Sequence, residues 1–445
     1  MLRSRITLFV IIGLLSLTAL ALWTQNSKAQ SSGPLFSSTE PSGLTPVSDQ
    51  PAFVIRARNT TIELPQLGQP SGAFFGRGWL APQSTLTLNL FADATYTARL
   101  DSYQMLPNEG AVWQGHLDHL ARSAVTLVTR GGRVFGQITA DTQVYEIRAT
   151  ASGAALIRQL NHSAYPPELD PLLPPATFGP SPAPVTAHTS ALQPQDTADE
   201  IDVLVLYTVS ARNAIGGATA TRNLIDLAVV EANQAYANSG IIQRLRLVGV
   251  AETNYDETTG FSDALERLHS NGDGFMDEAH SLRNFYAADM VALIINKSES
   301  CGLAYVMTTA SPTFESSAFS VTHYDCATGY YSFAHELGHN MGATHDRANS
   351  GGTGLFSYSY GYQAPDRSFR TVMAYNCASG GCPRVQYFSN PNVLYGGQAT
   401  GIDQAAPNAA FNALTLNNSA LTIANFRQRP QATNTPKITA SPTRT

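Results

Sequence analysis

Residues 335–346 read His-Glu-Leu-Gly-His-Asn-Met-Gly-Ala-Thr-His-Asp. Histidines four apart on a helix project from one face, so His335 and His339 can share one metal ion. Glu336 lies beside that position, where a carboxylate can take a proton from water. Gly342 has no Cβ and lets the chain leave the helix through a left-handed turn, bringing His345 round as a third ligand. Three protein ligands leave the fourth position of a Zn²⁺ ion open, as in catalytic rather than structural sites. The chemistry expected is hydrolysis by activated water, with Glu336 as the base. The other histidines lack convergent partners. His116 and His119, for example, form an HxxH without a glutamate and read as strand or turn residues.

The elements that must carry this motif alternate between strand and helix. Ile201–Tyr207 is a near-continuous apolar strand. Leu224, Leu227, Ala228, Ala232, Ala235 and Tyr236 recur at helical spacing, and Gly240 can end that helix. Ile241–Val250 reads as strand, Phe261–His269 and Met276–Tyr286 as helices, and Met290–Ile295 as a buried strand. This order implies an α/β (α+β) domain with a mostly parallel twisted sheet and an active-site helix. Between about 51 and 160 the texture differs: Thr85–Leu90, Ala94–Leu100, Val125–Thr129, Arg133–Thr139 and Val144–Arg148 alternate with period two, which predicts a mainly β module. Nine prolines between Tyr165 and Glu200 mark an extended linker, read either as a plain spacer or as a processing site. Asn271-Gly272-Asp273-Gly274 resembles the start of a calcium loop, but Leu282 stands where an EF-hand needs glutamate. A turn is the better account, and no Ca²⁺ site is assigned.

At the N-terminus, Arg3 and Arg5 precede an apolar run from Ile6 to Trp23 and then Ser27-Lys28-Ala29, the pattern of a cleaved secretory signal. The expected organisation is a signal peptide at 1–29, a β-rich propeptide at 30–164, the linker at 165–198, the catalytic domain at 199–428 and a Thr/Pro-rich disordered tail at 429–445. The four cysteines of an exported chain suggest two disulfides: Cys377–Cys382, closing a small loop, with Cys301–Cys326. The chain is 43% hydrophobic, only 13% charged, and carries a net charge of −6 with no basic stripe. That excludes a nucleic-acid partner and wholesale disorder. Lys28, Lys297 and Lys437 are its only lysines. Secretion is expected, with a protein or peptide as partner, a monomeric state and no stable membrane association after signal cleavage.

His335–His345 resembles the zinc signature of the metzincin metallopeptidases. The resemblance implies a methionine turn beneath the metal, for which Thr371-Val372-Met373-Ala374-Tyr375 stands at a suitable place, with Met373 as the hydrophobic floor. Asp346, following the third histidine, resembles the reprolysin/adamalysin branch, where the position is acidic and structural. Cys301–Tyr305, Tyr331–Ala334 and Phe388–Pro391 are similar to secreted bacterial peptidyl-Asp metallopeptidases. Tyr375 departs from the adamalysin pattern, which has proline there, and resembles astacins and serralysins. It is either a switchable metal ligand and oxyanion donor, or a packed aromatic. The peptidyl-Asp resemblance implies cleavage before acidic residues and hence a basic S1′ pocket. Arg370 and Arg384 are its candidates, or else ordinary surface arginines. The N-terminal module resembles reprolysin-type prodomains more weakly. No cysteine precedes residue 301, so any latency must come from steric blockage or an oxygen or nitrogen ligand. The rival from another class is a non-catalytic zinc-containing adhesion or binding protein on a metzincin fold.

Overall fold

In the computed structural model, residues 33–38, 50–68, 82–107, 109–150, 152–175, 196–378 and 380–429 are described. The expected signal peptide, the linker from 176 to 195 and the tail from 430 lie outside the described residues.

The N-terminal half forms one sheet of eight strands: β1 (Val54–Thr60), β2 (Thr85–Phe91), β3 (Ala94–Leu106), β4 (Gly110–Leu117), β5 (Ser123–Arg130), β6 (Arg133–Ala140), β7 (Gln143–Ala149) and β8 (Ala155–Leu160). The order β1-β8-β7-β6-β5-β4-β3-β2 is antiparallel throughout. Tight turns dictate this. Arg130 pairs with Arg133 across Gly131 and Gly132, both at positive φ, so the chain reverses in two residues. One face buries Trp113, Leu127, Ile138 and Ile147 in the module's own core. The other sends Val112, Val128 and Phe135 into the core of the C-terminal half.

The C-terminal half begins with β9 (Glu200–Thr208), α1 (Val209–Ile215) and α2 (Ala218–Asn238), followed by β10 (Arg244–Thr253), α3 (Phe261–His269) and α4 (Glu278–Tyr286). Next come β11 (Met290–Ile295), β12 (Gly302–Ala304), β13 (Phe319–His323), α5 (Tyr324–Ala327) and α6 (Ser332–Asn340). The sheet order is β10-β9-β11-β13-β12. β10, β9, β11 and β13 pair in parallel, while the edge strand β12 is antiparallel to β13. The parallel pairing is confined to this five-stranded sheet, and the largest sheet of the molecule, that of the N-terminal half, is wholly antiparallel. Parallel pairing requires crossover connections, and among the described residues α-helices separate the strands only after residue 200.

The halves meet across buried charge. Glu146, Arg148 and Arg158 of the large sheet surround Asp325 of α5, all with side chains under a tenth exposed. Arg130 pairs with Asp226 of α2 at 2.7 Å. Gln137 donates to the Tyr331 hydroxyl at 2.7 Å and the Gly329 carbonyl at 3.2 Å. Both expected disulfides are present, Cys301–Cys326 tying the start of β12 to α5, and Cys377–Cys382 closing a short loop.

Candidate active site

Helix α6 places His335 and His339 one turn apart, both fully buried. The helix ends where Gly342 takes φ +93°, with the Ala343 amide donating back to the Gly338 carbonyl at 2.9 Å. That left-handed residue turns the chain so that His345 returns to the same point. The three Nε2 atoms stand 3.1, 3.1 and 3.2 Å apart. A tetrahedral ion with metal–nitrogen bonds of about 2.0–2.1 Å holds its ligand atoms about 3.3 Å apart, so the triangle fits one. Each Nδ1 is engaged elsewhere: His335 with the Val372 carbonyl at 2.8 Å, His339 with the Ala343 carbonyl at 2.9 Å, His345 with an Asp170 oxygen at 3.2 Å. Those acceptors fix the tautomers and leave every Nε2 lone pair facing the centre. Burial, reinforced by neighbouring imidazoles, holds His335 and His345 well below the usual histidine range, and burial lowers His339 to about 4. Neutral imidazoles are what a cation needs.

The Met turn lies beneath. Val372 supplies the carbonyl for His335, and Met373 is fully buried against the helix. The approach is close enough that a Cβ at Gly338 would stand 2.7 Å from the Met373 sulfur. Asp346 accepts from the Tyr375 amide at 2.9 Å and from the Asn349 side chain at 2.8 Å, lacing the third-histidine loop to the Met turn. The Tyr375 ring lies on His345, centroids 4.0 Å apart. Its hydroxyl reaches into the cleft, where it donates to the Glu168 carbonyl at 3.1 Å and lies 3.3 Å from Asp170. Glu336 is fully buried, and neither of its oxygens has a hydrogen-bond partner. Burial, then the adjacent Glu168 carboxyl, pushes Glu336 well above the usual carboxylate range.

Sequence reasoning missed the other wall of this cleft. Residues 165–175, whose prolines predict the head of a linker, run through it beside β12. The Leu169 amide donates to the Gly302 carbonyl at 3.2 Å, that of Leu172 to Ala304 at 2.9 Å, and that of Val306 back to Leu172 at 2.9 Å. The Glu168 side chain points inward and is 1% exposed, as is that of its partner Arg384 at 2.7 Å. The Ser332 hydroxyl donates to the same carboxylate oxygen at 2.7 Å. Arg370 and Arg384 are not surface arginines: both are buried. Arg370 is consumed locally, donating to the Ala374 carbonyl and the Tyr330 hydroxyl, whereas Arg384 turns towards the cleft. The one sequence signal was Glu-Leu-Asp between Pro166-Pro167 and Pro171, an acidic pair held extended by its flanks. The Asn271–Gly274 stretch is a turn, its glycine amides donating to Asp277.

Such a triad beside a buried carboxylate on a helix-covered sheet defines a metallopeptidase, and residues 197–389 match the family described as Reprolysin_5, Metallo-peptidase family M12. Over 345 residues the chain is 36% identical to a peptidyl-Asp metalloendopeptidase of Stenotrophomonas maltophilia, spanning 73% of this chain and 79% of that one. A Xanthomonas campestris protein of the same name is 36% identical over 364 residues, 79% of this chain and 84% of the other. The chain belongs to this peptidyl-Asp metalloendopeptidase family. It is a metalloendopeptidase, and its substrates are proteins or peptides.

Proposed function

We propose that the chain is an exported zinc endopeptidase, made as a precursor, that cleaves before acidic residues. The observation carrying this reading is the convergence of His335, His339 and His345 beside Glu336, a buried carboxylate with no partner of its own. A structural zinc site in an adhesion protein has no use for that carboxylate. When held by the three imidazoles, Zn²⁺ supplies a Lewis acid that polarises the scissile carbonyl and lets water attack near neutral pH. Glu336 takes the proton from the attacking water as its oxygen bonds to the carbonyl carbon, then passes it to the amine as the C–N bond breaks. The Tyr375 hydroxyl, already donating to a peptide carbonyl in the cleft, donates to the substrate oxygen as charge develops there. β12 pairs with the extended substrate backbone, and Arg384 receives an acidic P1′ side chain.

The domain reading extends this. Residues 1–29 serve export, 30–164 form the propeptide, 165–198 the linker, 199–428 the enzyme and 429–445 an unstructured tail. Support comes from the two disulfides, which belong to oxidising compartments. The Stenotrophomonas maltophilia relative also aligns over 73% of this chain, more than the catalytic portion alone contains. Among the described residues no helix is long and apolar enough to cross a membrane. The enzyme works as a monomer. The test is hydrolysis of a mixed peptide library by wild type and Glu336→Ala at equal zinc content. Wild type should cut before Asp or Glu and the variant should be inert. Equal activities would remove Glu336 from the mechanism. Arg384→Ala should lose the acidic preference while keeping its metal, and an unchanged cleavage profile would discard that assignment.

A further inference from the structure

The Arg384 pocket is already filled by the chain itself. Glu168 Oε1 accepts from Arg384 Nη1 and from Ser332 Oγ, each at 2.7 Å. The pocket is a built one. Arg384 also donates to the Tyr330 carbonyl at 3.0 Å, and its guanidinium lies 4.2 Å over the Tyr330 ring. Tyr330 is in turn stacked on Tyr165 at 4.0 Å, and Tyr165 on Phe53 at 3.9 Å, so the segment enters the cleft clamped between aromatic rings. Glu168 has a ligand atom within 4.8 Å of those of His335 and Glu336. Its backbone neighbours hold β12 by hydrogen bonds, the interaction an extended substrate needs.

We infer that Glu168 keeps the chain latent by standing in for the acidic side chain of a substrate, its carboxylate in the Arg384 pocket and its flanking backbone on the substrate-binding edge. This rests on the endopeptidase reading above and names how that site is regulated. The chemistry explains why the occupant is tolerated and survives. A buried guanidinium without an anion is strongly unfavourable, so the pocket demands a carboxylate whether from Glu168 or from a substrate. What Glu168 places within 4.8 Å of the Glu336 carboxyl is a side-chain carboxylate, which offers no scissile bond to the base. Latency and acidic preference are then one interaction used twice. The signature of a thiolate latch is unnecessary, which accords with the absence of cysteine before residue 301.

The test uses the full-length zinc-loaded chain, its integrity followed by mass spectrometry. Two quantities are read: the initial rate on a fluorogenic peptide with aspartate at P1′, and hydrogen exchange of the segment containing the Leu169 and Leu172 amides. Glu168→Gln keeps the shape and removes the charge, so it should raise the intact-chain rate at least about tenfold and speed the exchange. Glu168→Asp should remain latent and protected. An intact Glu168→Gln chain as slow and as protected as wild type would overturn the inference, because shape alone would then block the cleft. If neither intact nor processed wild type cuts any peptide, the endopeptidase reading fails. The exchange comparison still decides whether the carboxylate holds the segment.

Discussion

Gly302 on the edge strand tests the position of Glu336, the proposed general base, without substituting any charged residue. A Cβ there would fall 2.6 Å from both Cγ and Cδ of Glu336, with Oε1 nearer still. Ordinary contact starts at 3.4 Å, so Gly302→Ala must drive the carboxyl back. The side chain is fully buried beneath the cleft, so the required shift of about 1 Å displaces the Glu336 carboxyl relative to the histidine triad. Misplacement by about 1 Å can cost about 10²-fold in rate, or about 2.7 kcal/mol of transition-state stabilisation. The backbone of Gly302 is not at a positive φ, and its carbonyl remains available to pair, so the fold and substrate binding should survive. The assay is kcat/KM of the processed enzyme on an acidic-P1′ peptide, with metal content and thermal midpoint measured on the same samples. Expected are a drop of about two orders of magnitude, mostly in kcat, stoichiometric metal, and a midpoint within a few degrees. A variant within threefold of wild type at full metal content would refute the placement of Glu336.

Two other perturbations address the interface and the pocket. Asp325→Ala leaves Arg148 and Arg158 buried with Glu146 as their remaining anion, and should destabilise the full chain by about 3–5 kcal/mol in denaturant unfolding; a loss below about 1 kcal/mol would mean water compensates the arginines. His162 is buried beside the pocket, its Nδ1 accepting the Arg384 amide, and burial with the charges of Arg370 and Arg384 lowers it from 6.5 to about 3. Because the folded form binds the proton less readily than the unfolded form, this contribution is intact above pH 6.5. It is lost at about 1.4 kcal/mol per pH unit as the pH falls towards 3. His162→Gln should flatten the stability profile by one proton over that window, and an unaltered slope would show that the imidazole titrates normally.

What could be read from the chain beforehand was local in sequence. Phe261–His269 and Met290–Ile295 occur with those bounds because each completes its own periodic pattern. The strand expected from Ile241 starts instead at Arg244, since the Ile241 amide is used to cap the preceding helix through the Tyr236 carbonyl. The triad was legible because three histidines and a glycine turn fall within eleven residues. The opposite wall was not, because Glu168 meets Arg384 across 216 positions through tertiary packing alone. Arginines are mostly exposed, so nothing in the residue type announced that both would be buried. Tyr375 occupies a middle case: its two-residue spacing from Met373 is legible in the sequence, whereas its hydrogen bond to the Glu168 carbonyl is made by tertiary packing.

The pairing of residues 169–172 with β12 bears on more than catalysis. β12 is a three-residue strand on the rim of its sheet, and without a neighbour it presents unsatisfied carbonyl and amide groups to any passing strand. Exposed rims of this kind template aggregation. Residues 169–172 cap that rim from within, which would let a precursor of the proposed kind complete its folding without intermolecular sheet growth. Removal of the segment by the proposed processing would uncover that edge for pairing with foreign polypeptide, and the short length of β12 would limit how far such pairing can propagate.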